Sequence, residues 1–319
     1  MPLESVVLVT YKLSPSNLQR ITGLSPEIKV LYTPETSEIK KHLPEAEILF
    51  GDLDAELFPL AKKLKWVQLA FAGVDQILFP EFVASNIVLT TCRGLQKDQL
   101  TELLFGMMLT FTRKLDILRK LQANKKWDIS PFRETDVLHG KTIGILGLGS
   151  IGSEMAKVAK AFGMRVIGFK KHSSVPAEHV DLVVGKDELH LLYETSDHIV
   201  VVLPLTAETR NLITRNEFDL MGRSPYFYNF ARGAIVIEAD LIDALRQKKI
   251  SGAGLDVFEN EPLKPTSPLW EMENVIITPH IGGLVPSYMR QVTDLFLENL
   301  ERYLRGKRLM NMVDKTRGY

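Results

Sequence analysis

A chain of 319 residues is long enough for two domains, each with a core of its own. Its 39 basic and 39 acidic residues cancel, which argues against a nucleic-acid surface and against a charged, disordered tail. Cys92 is the one cysteine, so no intrachain disulfide can form and a reducing, cytoplasmic setting is expected.

The opening residues, Met1-Pro2-Leu3-Glu4-Ser5, place no basic region ahead of an apolar one, so no signal peptide is expected. Short runs rich in Val, Ile and Leu predict strands over 6–9, 28–32, 48–50, 66–70 and 87–90. Residues 15–22, 37–42 and 55–63 read as helices between them. Such alternation predicts a parallel sheet covered on both faces. A long helix is expected over 100–121, apolar on much of its circumference and therefore lying between domains or between subunits. Its most apolar part, 103–111, is too short to span a bilayer, and no membrane partner is expected. Residues 125–139, polar and containing Pro131, read as a connection.

The stretch 141–171 organises the remainder of the chain. An apolar strand, Thr142-Ile143-Gly144-Ile145-Leu146, runs into Gly147-Leu148-Gly149-Ser150-Ile151-Gly152. Met155, Val158, Ala159 and Phe162 then recur at helical spacing up to Gly163, and a second strand begins at Arg165. Strand, G-x-G-x-x-G, helix, strand is the setting in which the glycines bind a dinucleotide. Gly147 permits the tight turn, Gly149 lets the backbone approach a pyrophosphate, and Gly152 lets helix and strand lie close. The helix N-terminus presents N–H groups and a positive dipole end to the phosphates. At the end of the second strand, where an acid holds the ribose 2′-OH in NAD sites, stands Lys170-Lys171-His172-Ser173. Two cations and a hydroxyl suit a 2′-phosphate, so NADP is expected in preference to NAD.

Beyond Lys171, strands are predicted over 180–184, 199–203, 226–230, 252–257 and 275–278, with helices over 187–194, 206–212, 214–221 and 239–248. A last long helix is expected over 285–305, returning to the first domain. The chain therefore reads as α/β: a discontinuous domain of residues 1–98 and 285–319, and an inserted nucleotide domain of 99–284.

A nicotinamide site needs a proton carrier for the substrate oxygen and a cation for a carboxylate. Arg232, just past the strand over 226–230, can clamp a carboxylate bidentately and polarise the neighbouring carbonyl. His280, just past the last strand, is the residue type that carries protons near neutral pH. Asp256, Glu259 and Glu261 supply acids between them. The histidines do not cluster at ligand spacing, and no metal site is expected.

Taken in order, these motifs resemble the D-isomer-specific 2-hydroxyacid dehydrogenases along nearly the whole chain. The matching residues are Gly147-x-Gly149-x-x-Gly152, Leu203-Pro204-Leu205-Thr206-x-x-Thr209, Asn229-x-x-Arg232-Gly233, Asp256-Val257-Phe258-x-x-Glu261-Pro262-Leu263 and Thr278-Pro279-His280-Ile281-Gly282-Gly283. Ala72-Gly73-Val74-Asp75 resembles the family's substrate-carboxylate loop. The resemblance implies a Rossmann-type domain inserted into a flavodoxin-like substrate domain. It implies that Arg232 binds the 2-oxo acid, that His280 donates the proton, and that Glu261 orients the His280 ring and favours its imidazolium form. It implies substrate contacts from Ala72, Gly73 and Val74, with Tyr288, Leu95 and Leu284 candidates for the side-chain pocket. It implies cofactor contacts from Gly147, Gly149, Ser150, Ile151, Gly152, Lys170, Lys171, Pro204, Thr209, Phe230, Ala231, Asp256 and Gly282. The long helix after Leu100 resembles the element through which such proteins form homodimers.

Lys170 leans toward the NADP-using glyoxylate/hydroxypyruvate reductase branch, with a small 2-oxo or 2-hydroxy acid as substrate. A short phosphoglycerate dehydrogenase-like enzyme is the second reading. Formate oxidation would call for Gln where Glu261 stands. A nucleotide-sensing binding protein like the family's corepressors would keep the same residues, but nothing resembling a partner-docking extension is evident.

Overall fold

The computed structural model describes residues 5–171 and 176–319. In chain order its strands and helices begin with β1 (Ser5–Val9), α1 (Pro15–Thr22), β2 (Ile28–Tyr32), α2 (Thr36–His42), β3 (Ile48–Phe50), β4 (Trp66–Gln68), α3 (Pro80–Ala84) and β5 (Val88–Thr90). There follow α4 (Lys97–Arg113), α5 (Leu115–Ala123), β6 (Thr142–Leu146), α6 (Ser150–Ala161), β7 (Arg165–Phe169), β8 (Leu182–Val184), α7 (Leu189–Thr195), β9 (His198–Val201) and α8 (Arg215–Asp219). The chain closes with β10 (Tyr226–Asn229), α9 (Glu238–Arg246), β11 (Gly252–Leu255), β12 (Val275–Ile277) and α10 (Tyr288–Leu304). Contacts divide it into two units: the residues up to Leu95 together with Val285–Tyr319, and Gln96–Leu284.

In the first unit, five strands pair in the order β2-β1-β3-β4-β5, all parallel. This is the flavodoxin-like order. The pleat sends alternate residues to opposite faces. Val7, Val9, Ile48, Phe50 and Trp66 enter one core with Val292, Phe296 and Leu300 of α10. Leu8, Leu49 and Val67 enter the other with Phe82 and Ile87. The ring of Phe296 stacks on Phe50 at 4.2 Å between centroids, so the C-terminal helix is part of this core.

In the second unit, seven parallel strands run β12-β11-β10-β9-β6-β7-β8. Read from β6, this is the Rossmann order with a seventh strand added at one edge. Ile143, Ile145, Val200 and Tyr228 pack with α4 and α6, while Leu146, Ile199, Val201 and Phe227 pack on the opposite face. The strand order reverses between β6 and β9, where Leu146 pairs with Val201. Crevices at such a reversal, beyond the carboxyl ends of the strands, are where doubly wound sheets take their ligands.

Three expected helices differ. Residues 55–63 form only a 3-10 turn, Phe58–Leu60, because Pro59 lacks the N–H a helix interior requires. Residues 206–212 are turns. There the Thr209 hydroxyl takes the Thr206 N–H at 2.8 Å and donates to the Pro204 carbonyl at 2.6 Å, replacing helical bonds with local ones. The long helix over 100–121 is two helices, α4 and α5, broken at Lys114, whose φ is +54°. The carbonyl of Thr112 accepts from the Asp136 N–H at 2.7 Å rather than from the next helical turn. Leu100, Leu104, Phe105, Met107 and Met108 of α4 are buried in the core of their own unit. Among the described residues no helix is long and apolar enough to cross a membrane.

Candidate active site

The turn after β6 is built for close approach. Gly147 sits at φ +115°, a region that disfavours side chains, and a Cβ on it would lie 2.9 Å from the Val202 carbonyl oxygen. A Cβ on Gly152 would collide with the Gly147 carbonyl oxygen, so only glycine lets α6 start this close to β6. Beside Gly149, by contrast, a Cβ would meet open space. The first intrahelical bond of α6 runs from Ser153 to the Gly149 carbonyl. The N–H groups of Ser150, Ile151 and Gly152 therefore precede the helical ladder, as in an anion-binding helix start. The cradle fits a pyrophosphate on this geometry.

Lys170 and Lys171 follow β7. The Lys171 ammonium donates to both Glu208 carboxylate oxygens, at 3.0 and 2.9 Å. Glu208 lies in the turn after β9 and holds a lysine from another strand end, a pairing no local sequence signal announces. His172 and Ser173 lie outside the described residues. Pro204 and Thr209 belong to the same turn, the Thr209 hydroxyl bracing it from within.

After β10 the buried Asn229 organises the chain. Its Oδ1 accepts from the Ala231 N–H at 3.1 Å and its Nδ2 donates to the Arg232 carbonyl at 3.2 Å. Phe230 and Ala231 are buried by this turn. Arg232 follows in extended backbone, with one guanidinium nitrogen donating to the Ala231 carbonyl at 2.8 Å. A Cβ on Gly233 would collide with the backbone of Phe258 and Glu259. The Arg232 turn and the acid-bearing turn after β11 thus lie backbone against backbone.

Glu261 is used at both oxygens. Oε1 accepts the Phe258 N–H at 3.0 Å, and Oε2 lies 2.7 Å from Nδ1 of His280. A carboxylate at Nδ1 fixes that nitrogen as a donor and leaves Nε2 to exchange a proton with a substrate. His280 itself sits at φ +54°, an uncommon conformation for a residue with a side chain. The buried Asp256 holds it there. Its Oδ1 accepts from the Thr278 hydroxyl at 2.6 Å and the Ile281 N–H at 3.0 Å, and its Oδ2 from the Gly282 N–H at 2.9 Å. Glu238, at the start of α9, accepts the Glu259 N–H at 3.2 Å, and burial raises its pKa above the usual carboxylate range. This Glu238–Glu259 bond joins residues 21 apart, and no spacing in the sequence announces it.

Arg232, Glu261, His280, Asp256, Gly282 and the glycine turn all belong to the second unit. Ala72, Gly73 and Val74 belong to the first, in the loop beyond β4. Among the described residues their N–H groups have no acceptor. Tyr288, expected in the side-chain pocket, is buried, and its hydroxyl donates to the Ala70 carbonyl at 2.5 Å. The Cys92 thiol is buried too. It donates to the Leu69 carbonyl at 3.2 Å, and burial pushes its pKa up to about 12. Among the described residues no group of three or more His, Cys, Asp or Glu side chains could hold a metal ion.

A Rossmann-ordered sheet with this glycine turn and a paired histidine and carboxylate at its strand ends defines a nicotinamide-dependent oxidoreductase. Residues 105–282 match the family profile of the D-isomer specific 2-hydroxyacid dehydrogenase NAD binding domain. The chain is 32% identical over 292 residues to a glyoxylate reductase of Thermofilum pendens, covering 89% of this chain and 86% of that protein. It is 32% identical over 297 residues to the D-3-phosphoglycerate dehydrogenase of Methanocaldococcus jannaschii; the match takes in 90% of this chain but spans only 55% of that protein's length. Among solved structures, the NADPH-dependent glyoxylate/hydroxypyruvate reductase of Sinorhizobium meliloti, in complex with NADP and sulfate, superposes with a TM-score of 0.85. It has 28% identity, covering 99% of this chain and 100% of that one. The chain belongs to the D-isomer specific 2-hydroxyacid dehydrogenase family. It is an oxidoreductase acting on CH–OH donors with NAD or NADP as acceptor.

Proposed function

We propose that this protein reduces small 2-oxo acids, with glyoxylate and hydroxypyruvate the leading substrates and NADPH the preferred cofactor. The observation that carries the reading is the 2.7 Å pair of Glu261 and His280, set where the Arg232 turn packs on the Phe258–Glu259 backbone. When bound, the reduced nicotinamide supplies the hydride to the carbonyl carbon. The Arg232 guanidinium holds the substrate carboxylate and polarises the carbonyl oxygen. His280 gives the proton from Nε2 to that oxygen, and Glu261 steadies the ring through Nδ1. One 2-oxo acid, one hydride and one proton yield one 2-hydroxy acid. The N–H groups of Ala72, Gly73 and Val74 form a carboxylate-binding turn, since acceptor-less N–H groups in succession suit an anion.

The cofactor preference rests on Lys170 and Lys171 at the end of β7, where an NAD site carries an acid. The S. meliloti relative's complex with NADP supports it. Asp256, with one oxygen accepting a single bond, retains capacity for the nicotinamide carboxamide. A phosphoglycerate dehydrogenase-like activity is the second reading, favoured by the M. jannaschii relative. The lone buried thiol suits a cytoplasmic setting.

We also propose a homodimer. Leu115, Leu118, Trp127, Ile129, Phe132 and Val137 form an exposed apolar stretch, with Trp127 98% and Ile129 72% exposed. A second copy of the chain is the partner that would cover it, as neighbouring apolar exposure of this kind marks interfaces. His280→Ala and Arg232→Ala, assayed separately by NADPH oxidation, test the chemistry. The first should lower kcat by about 10²–10⁴, and the second should raise the oxo-acid KM and lower kcat as well, because Arg232 also polarises the carbonyl. Near-normal turnover in either would overturn the assignment.

A further inference from the structure

In the first unit, the peptide groups on both sides of Ala70 are gripped by tyrosine hydroxyls. The Ala70 N–H donates to the Tyr11 hydroxyl at 3.1 Å, and that hydroxyl donates to Asp52 Oδ1 at 2.5 Å. From the other side the Tyr288 hydroxyl donates to the Ala70 carbonyl at 2.5 Å. The next carbonyl, of Phe71, accepts from the Cys92 N–H at 3.0 Å, and the Phe71 ring lies edge-on to Tyr11 at 6.3 Å. Beyond Phe71 come Ala72, Gly73 and Val74, whose N–H groups have no acceptor among the described residues. The backbone is thus pinned up to the residue before the turn; within it the N–H groups are open, while the Val74 carbonyl accepts from Ile77 at 3.1 Å and Leu78 at 3.2 Å.

Both tyrosines are suited to hold rather than to react. Burial raises each phenol above its usual range, and Asp52 raises Tyr11 further, so both stay neutral O–H groups. Tyr11 stands two residues past β1 and Tyr288 opens α10, so one comes from the sheet and the other from the C-terminal helix. With the peptide on each side of Ala70 held by one tyrosine, neither can rotate without breaking one of these bonds. Rotation there would turn the following N–H groups away from a common anion.

We propose that Tyr11 and Tyr288 are positioning residues that fix the turn 72–74 for the carboxylate of the 2-oxo acid. The inference rests on the reading of that turn as the carboxylate-binding element. Both hydroxyls are engaged by the peptide groups of Ala70, so each tyrosine acts on substrate affinity rather than on the chemical step.

The test compares Tyr11→Phe and Tyr288→Phe with the parent enzyme, and Gly73→Pro, which deletes one N–H of the turn itself. Glyoxylate and NADPH are the substrates. Each tyrosine variant should raise the glyoxylate KM about five- to tenfold, the scale of one lost hydrogen bond. Both kcat and the NADPH KM should stay within about twofold. Hydrogen exchange supplies a readout independent of turnover: the amides of Ala70 and Cys92, which donate to the Tyr11 hydroxyl and the Phe71 carbonyl, should exchange faster in both variants, and those of 142–169 should not. A loss confined to kcat or to melting temperature, with unchanged KM and exchange, would overturn the proposal. If Gly73→Pro raises the glyoxylate KM and the tyrosine variants do not, the clamp fails and the turn survives. If Gly73→Pro leaves that KM unchanged, the reading of the turn fails first.

Discussion

Glu261→Gln is the sharpest perturbation of the proposed proton path, because it keeps the shape and removes the charge. Glu261 uses one oxygen for the Phe258 N–H at 3.0 Å and the other for His280 Nδ1 at 2.7 Å. Glutamine has a single oxygen to offer. If it serves Phe258, the amide NH2 faces Nδ1 and forces that nitrogen to accept. The ring is then a neutral imidazole with its proton on Nε2, a far weaker acid than imidazolium. If the oxygen serves Nδ1, the NH2 meets the Phe258 N–H, two donors face to face. Phe258 cannot retreat, since its backbone is packed against Gly233. The lost interaction is charge-assisted, worth about 1.5–3 kcal/mol. His280 and Glu261 are 45% and 36% exposed, so solvent screening favours the lower part of that range. The expected result is a kcat for glyoxylate reduction about 10- to 100-fold below the parent. NADPH affinity, measured by fluorescence titration, should not change. A kcat within twofold of the parent, or a loss expressed only in cofactor affinity, would refute the reasoning.

Gly152→Ala forces α6 away from the Gly147 carbonyl; overpacking of this kind costs about 1–3 kcal/mol. The melting temperature should fall and the NADPH Kd rise at least tenfold, and a parental Kd would contradict the role given to the cradle. His198 is buried on β9 beside Tyr228, and burial lowers its pKa from 6.5 to about 4. It stays neutral in the fold while the unfolded chain takes up a proton. Stability from this source is therefore full above pH 6.5 and falls between pH 6.5 and 4. The loss is on the order of 3 kcal/mol, from about 1.4 kcal/mol per pKa unit. Urea melts across that range should show the slope, and His198→Gln should flatten it; an unchanged slope would contradict the cause. Trp127→Glu with Ile129→Glu should convert a dimer to a monomer by light scattering, whereas an unaltered mass would remove the proposed interface.

Much of the architecture was legible because it is local. Strand positions followed from short β-branched runs, and the glycine turn from spacing that admits few alternatives. The second helix of the first unit was placed to within a residue, Thr36–His42 against 37–42. What failed locally failed for physical reasons that can be named. Pro59 interrupts 55–63, and the Thr206–Thr209 bonds replace a helix over 206–212. The break at Lys114 was not legible, since it depends on the Asp136 N–H reaching the Thr112 carbonyl from elsewhere in the chain. The same holds at the site. Strand ends point to Arg232, Glu261 and His280 as candidates, because chemistry in such sheets gathers there. Partners joined by folding are different. Asp52 meets Tyr11 41 residues away, and Tyr288 meets Ala70 across 218 residues, so neither pairing leaves a trace in spacing.

The central proposal is an NADPH-preferring reductase of small 2-oxo acids, and initial rates test it directly. Glyoxylate and hydroxypyruvate would each be offered with NADPH and with NADH, at matched concentrations, with cofactor oxidation followed by absorbance. The expected result is turnover of at least one acid with a clear preference for NADPH in kcat/KM. Turnover with NADH at equal or greater efficiency would contradict the role given to Lys170 and Lys171. No turnover of either acid with either cofactor would contradict the substrate assignment itself.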